Sequence, residues 1–296
     1  MELTFVVEGV SMILEQIIVA IDFSPASEAA RSIAASLATC LGVKVLALHV
    51  FEHASHHRYQ VPVSWMIAAI RKDIDRQLAE QVKLLTDIGI VAEGKVVDGL
   101  ASAEIVKAAN GQANALIVMG THARSGVERF LLGSTAEEVL RQASCPVITT
   151  GPHVMQSRER GVFRRLLYAT DFSNTSMNAA TLSDSFWRRA QPAHLTVLHV
   201  ATNLGIQASS EDPSFDMYRK LFGIQDTSAH QSVDYVTLHG RDISQAIVNE
   251  AERSGADLIV LGVRRGAACT PRLAPKIAFQ VIAAAPCAVL TISSDR

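Results

Sequence analysis

The 296-residue chain carries the same run of motifs twice, in the same order, and that duplication restricts its fold more than any other feature. The segment IIVAIDFSPASEAA, from Ile17 to Ala30, returns as LLYATDFSNTSMNAA, from Leu166 to Ala180, with Asp22-Phe23-Ser24 falling on Asp171-Phe172-Ser173. VLALHV, ending at Val50, returns as LTVLHV, ending at Val200, and NALIVMG, ending at Gly120, returns as ADLIVLG, ending at Gly262. ASCPVITT, from Ala143, matches AAPCAVLTI, from Ala284. The copies stand 149 residues apart at the Asp-Phe-Ser motif and 142 apart at the two glycines, so the second is shorter between its second strand and its last helix. Residues 51–95 are the variable stretch of the first copy.

Each copy alternates short apolar runs with helical periodicity, the mark of parallel strands joined by crossover helices. Strands are expected near 16–21, 43–50, 90–97, 114–120 and 145–150, and again near 164–170, 193–200, 232–238, 256–262 and 287–293. The first helix has clear signals: Ser24 as N-cap, Pro25 at the first helical position, Ala26, Ala30, Ile33, Ala34, Leu37 and Leu41 at helical spacing, then Gly42. The fold class is α/β: two tandem, doubly wound, five-stranded parallel-sheet domains of Rossmann-like type, with strand order 3-2-1-4-5. Residues 1–151 form the first domain, the Gly- and Pro-punctuated stretch 152–161 the linker, and 162–296 the second. The apolar last strands, CPVITT and CAVLTIS, are edges that should cover one another. The expectation is therefore an intramolecular pseudo-dimer, two separate sheets related by an approximate two-fold axis, with homodimerisation left open.

A chain that is 49% hydrophobic, 19% charged and 5% aromatic describes packed cores rather than disorder. Its formal charge of -2 gives no electrostatic support for binding nucleic acid or an anionic membrane. Met1 to Val10 contain Glu2 and Glu8 but no Lys or Arg, unlike a secretory signal, and no apolar run reaches the roughly 18 residues of a membrane span. The expected location is the cytoplasm, and residues 1–11 read as an appendage. The four cysteines include no C-x-x-C pair.

In an open parallel sheet, ligands bind beyond the carboxyl ends of the strands where the strand order reverses. Ala20-Ile21-Asp22, ending strand one, and MGTHARSGVERFLLGST, from Met119, would face each other there if strands one and four are neighbours. The loop has what a phosphate needs. Gly120 and Gly126 allow close backbone approach, and Gly133-Ser134-Thr135 opens a helix whose amides and dipole favour an anion; His122, Arg124 and Arg129 add positive charge. The competing reading makes Ser134 to Glu137 a capping box that satisfies the helix's own amides.

VAIDFSPAS, LHV and MGTHARSGVERFLLGSTAEEVLRQASCPVIT together resemble the universal stress protein family, and the likeness covers nearly the whole chain. ATP-binding members of that family carry G-x-x-G, nine residues, then G-[ST]. Gly120, Ala123, Gly133 and Ser134 hold those positions with the spacing intact and one glycine replaced. The resemblance implies an adenine nucleotide, ATP with or without Mg, in the first half. By the same resemblance Ala20, Ile21, Asp22, Val50 and Met119 would line the adenine and ribose region, and Gly120, Ala123, Gly133, Ser134 and Thr135 would hold ribose and phosphates, with Arg124 beside them. Ala123 places a β-carbon where the family has glycine.

In the second half the corresponding stretch is LGVRRGAACTPRLAPKIAFQ: Gly262 persists, Arg265 replaces the second glycine and Pro275-Lys276 replaces Gly-Ser. Proline removes an amide donor where a phosphate needs one, so this half reads as a structural partner and Arg264, Arg265, Arg272 and Lys276 as a solvated face. His53 and His57 have the i, i+4 spacing of a two-ligand metal face, with His56 alongside and Glu52 as the nearest third ligand, against the plainer reading of an exposed loop. Cys145 and Cys287 suit packing at the start of the last strands, and His49 and His199 read as core or crevice-lining residues. The expected function is a nucleotide-binding regulatory module of the stress-response type, with no catalysis beyond a weak ATPase. A slow ATPase or phosphotransferase relative and a ligand-free interaction protein are the alternatives; the chain lacks G-x-x-x-x-G-K-[ST] and an evident nucleophile–base pair.

Overall fold

The computed structural model describes residues 4–7, 10–52, 64–112, 114–121, 132–151, 154, 163–177, 179–180, 194–202, 215–221, 232–264 and 276–294. Strands β1 (Thr4–Val7) and β2 (Val10–Ile13) pair antiparallel as a separate hairpin. It gives the expected appendage a structure that its sequence had not suggested. The first repeat then runs β3 (Gln16–Ala20), α1 (Pro25–Leu41), β4 (Lys44–Phe51), α2 (Ser64–Thr86), β5 (Ala92–Asp98), α3 (Ala101–Asn110), β6 (Ala115–Gly120), α4 (Ser134–Gln142) and β7 (Val147–Thr150). The second supplies β8 (Arg165–Thr170), helical residues at 174–177, β9 (His194–Ala201), α5 (Asp216–Leu221), β10 (Ser232–His239), α6 (Ile243–Ser254), β11 (Leu258–Arg264), α7 (Lys276–Ala284) and β12 (Ala288–Ser294).

All ten expected strands are present, in the order β10-β9-β8-β11-β12-β7-β6-β3-β4-β5. Within each repeat that order is 3-2-1-4-5, and every pairing inside a repeat is parallel. The expectation of two separate sheets is corrected: β7 and β12 pair antiparallel and join the halves into one ten-stranded sheet. Each last strand would otherwise present a bare row of backbone donors and acceptors on an apolar edge, and pairing satisfies both rows together.

The seam is self-complementary. Ile148 lies opposite Leu290, its counterpart in the repeat, while Val147 faces Thr291 and Thr149 faces Val289. The Thr149 hydroxyl donates to the Val289 carbonyl at 3.3 Å and the Thr291 hydroxyl to the Val147 carbonyl at 3.2 Å, the same bond made twice about a local two-fold.

Strands covered on both faces should read as continuous apolar runs, and these do. Ile17 and Val19 point into one core with Ala30, Ala34 and Leu78 from α1 and α2, while Ile18 points into the other with Ile105 and Val139 from α3 and α4. Helix α1 begins as its signals require: the Ser24 hydroxyl accepts the Ser27 amide at 3.2 Å, and Gly42 closes the helix in the left-handed region at φ 70. Cys287 is buried and Cys145 half-buried against the same core, in keeping with their packing role. The expected linker falls outside the described residues except for Val154.

Ile148 and Leu290 are both fully buried. Truncating either to alanine should lower the unfolding free energy by about 2–5 kcal/mol, and the double variant should lose less than the sum because the residues face one another. Urea midpoints of the three variants measure this. Losses below about 1 kcal/mol that simply add would mean that the seam is not part of the core.

Candidate functional site

Strands one and four of the first half are neighbours: β3 pairs with β6 from Gln16↔Ala115 to Val19↔Val118. Their carboxyl ends, the end of β4 and the start of α4 therefore meet at one edge of the sheet. Ala20 is half-buried opposite Leu48, Asp22 is exposed and Val50 is half-buried in β4. Ile21 and Met119 are each only 3% exposed, Ile21 in the α1 and α2 core and Met119 in the opposite one. What these two offer to a crevice is peptide backbone rather than side chain. Ala123 and Arg124, with His122, Gly126 and Arg129, lie outside the described residues, as do His53, His56 and His57.

The start of α4 decides between the two readings of Ser134. Its N-cap is Gly133, in extended conformation, which has no side chain with which to cap the helix. Ser134 is already helical and exposed, and Glu137 turns along the helix to Arg141 at 2.5 Å instead of back to the cap. The capping box does not form. Gly133 is held close: its amide donates to the Thr121 carbonyl at 2.8 Å, and a β-carbon on it would stand 2.7 Å from that oxygen. Thr121 in turn donates its amide and hydroxyl to the Thr150 carbonyl, at 3.0 and 3.2 Å. The first turn of α4 is thus fixed against the end of β6 with Thr135 half-buried beside it.

Gly120 has a different reason to be glycine. A β-carbon there would meet the Ala26 β-carbon at 2.8 Å and the Ala26 carbonyl carbon at 2.9 Å, so its smallness lets α1 lie against β6. Gly262 repeats the arrangement, with the Thr175 oxygen at 2.5 Å from such a β-carbon. The glycine kept in both halves is a helix–strand contact, whereas Gly133 has no counterpart: α7 starts at Lys276 directly after Pro275.

Asp22 builds its own turn. Its carboxylate accepts the Ser24 amide at 2.9 Å and the Ser24 hydroxyl at 2.5 Å. Phe23, between them, has φ 60, a left-handed conformation that costs a bulky residue about 1–2 kcal/mol. It stacks on the His49 ring at 4.8 Å, and His49 Nδ1 donates to the Ile21 carbonyl at 2.7 Å. The second half repeats the turn, with the hydroxyl bond to the carboxylate coming from Ser176: Asp171 accepts the Ser173 amide, Phe172 has φ 61, and His199 lies 4.5 Å from the Phe172 ring with Nδ1 2.9 Å from the Thr170 carbonyl. Reading motif by motif treated Asp22 as a ligand contact and His49 as a lining residue. Their joint recurrence with Phe23 was the signal that they form one unit.

At the equivalent place in the second half Thr170 replaces Ile21, and its hydroxyl is 2.7 Å from the Tyr218 hydroxyl and accepts the Phe172 amide at 2.9 Å. Tyr168 donates to the Ser176 carbonyl, and burial pushes its phenol well above the ordinary range. This strand end is tied into its own core. In the first half Glu52, one of the third ligands open to the two-histidine metal reading, accepts the Ala101 amide at 2.7 Å and serves the start of α3.

The sequence profile of the universal stress protein family matches residues 14–150 and again residues 163–293. The chain belongs to the universal stress protein family. A universal stress protein of Methanocaldococcus jannaschii is 31% identical over 136 residues, covering 45% of this chain and 80% of that protein. A second from the same organism is 25% identical over 154 residues, covering 47% and 95%. The crystal structure of a universal stress protein from Archaeoglobus fulgidus superposes with a TM-score of 0.74 at 22% identity, covering 94% of this chain and 98% of that one, and so shares the tandem fold. No helix among the described residues is long and apolar enough to cross a membrane.

Proposed function

We propose that this universal stress protein binds one adenine nucleotide, ATP by family resemblance, in its first half, and that the bound nucleotide regulates its contacts with a partner. The observation that carries the reading is the start of α4. Its N-cap is a glycine with no side chain to cap it, it is fixed against the end of β6 and it lies beside the strand-one end, where helix amides and dipole favour phosphate. Ser134 and Thr135 would hold phosphate oxygens there with the amides of the helix's first turn. The peptide of Ile21 and Asp22, with Val50, would take the base and ribose.

Catalysis has little support. Asp22, the carboxylate after the strand-one end, already accepts two bonds from Ser24, which suits a fixed contact better than a mobile base. Mass spectrometry of small molecules released on denaturing the purified protein tests the reading directly. An adenine nucleotide at close to one per chain is the expected result. Protein that releases none and fails to take up ATP on titration would leave the ligand-free interaction reading standing. Turnover in the ordinary enzyme range of about 1–1000 per second, lost in Asp22→Ala with the fold intact, would replace the regulatory reading by an enzymatic one.

A further inference from the structure

We infer that His49 is a positioning residue for the nucleotide site: it and Phe23 clamp the strand-one turn so that the Ile21–Asp22 peptide and the Asp22 carboxylate face the crevice at a fixed angle. The inference rests on the nucleotide-binding reading above and adds a residue to it that acts through the chain rather than on the ligand.

The carbonyl of Ile21 can only accept, so the 2.7 Å contact requires a proton on His49 Nδ1 and fixes the ring's tautomer or its charged form. The Ile21 amide is used as well, donating to the Leu48 carbonyl at 2.9 Å. Both backbone polar groups of the core residue that follows β3 are therefore bound to β4, and the turn starts from that fixed point. Phe23 then takes a left-handed conformation that bulky residues avoid, and its ring lies on the face of His49 at an interplanar angle of 29°. One imidazole thus holds both the carbonyl before Asp22 and the side chain after it. With Ser24 holding the carboxylate, Asp22 has little freedom left.

The second half is an internal control. Phe172, His199 and the Thr170 carbonyl make the same clamp on a copy whose phosphate motif is interrupted by Pro275. The clamp is therefore a property of the turn, and its consequence for a ligand arises only where the rest of a site exists.

The test replaces His49 three ways in the full chain and measures ATP affinity and melting temperature. Asparagine puts a donor where Nδ1 stood, glutamine puts its donor near the place of Nε2, and phenylalanine keeps the ring without a donor. His49→Gln and His49→Phe should weaken ATP about tenfold, the worth of one hydrogen bond, whereas His49→Asn should stay within about twofold. His199→Gln should lower the melting temperature much as His49→Gln does and leave ATP affinity unchanged, which a merely structural role for His49 would not predict. Equal affinities for the three His49 variants, or a loss with His199→Gln to match, would overturn the inference. If the unmodified protein takes up no ATP, the nucleotide reading fails instead, and amide exchange at residues 21–24 in the same variants still decides the clamp. Faster exchange in the glutamine and phenylalanine variants but not in the asparagine variant supports it; no difference refutes it.

Discussion

Calorimetry of the intact chain with ATP should titrate a single site, and leucine at position 133 should abolish it while circular dichroism stays unchanged. Gly133 is not needed for its φ, which is an ordinary -63, but for space: any β-carbon would sit 2.7 Å from the Thr121 carbonyl oxygen. That oxygen belongs to backbone held by Thr150, so the start of α4 must yield, swinging its amides away from the crevice. A loss of about 100-fold or more is expected, roughly 2.8 kcal/mol of binding. The rest of α4 can retain its core contacts through Ala136, Val139 and Leu140, which is why the fold should survive. Lys276→Ala, at the equivalent helix start of the second half, should leave the titration untouched. Two equivalent sites per chain would mean that both halves bind, and binding sensitive to Lys276 and not to Gly133 would place the nucleotide in the other half.

The architecture was legible because it is written in periodicity. Ile17-Ile18-Val19 and Leu116-Ile117-Val118 are apolar on both faces, which only a strand buried between helix layers requires, and the first helix carries its cap, its proline and its terminal glycine in sequence. The last strands announced that they need cover. Whether that cover would be face to face or edge to edge was not legible, because Val147-Ile148-Thr149 is equally apolar in either case. The answer depends on a backbone pairing that leaves no mark on side-chain pattern. At the site, the Gly-Ser start of α4 and the strand-one end were found from spacing. The failure of the capping box was not, since Ser134 and Glu137 have the right separation and only the position of the helix boundary, one residue earlier than the box needs, decides it. His49 and Phe23 were both visible as repeats, but the contact between them joins a residue of β4 to one in the turn after β3 and emerges only from the pairing of those two strands.

The two repeated glycines give the sharpest separation of fold from function. Gly262→Ala should destabilise the protein by about 1–3 kcal/mol or beyond, because its β-carbon would fall 2.5 Å from the Thr175 oxygen and 2.9 Å from the Ser176 Cα, atoms of backbone that cannot rotate away. At about 2–4 °C per kcal/mol for a chain of this size, the melting temperature should drop by several degrees, and ATP affinity should not change. Gly120→Ala should show the same thermal loss, since Ala26 is as close there, and should also weaken ATP. The helix it pushes aside, α1, begins at the turn that carries Asp22. A common packing role thus predicts equal stability effects and unequal binding effects from one substitution made at two equivalent places. If the glycine were kept for the ligand alone, Gly262→Ala would be tolerated within about 0.5 kcal/mol, and differential scanning calorimetry on that single variant would be enough to show it.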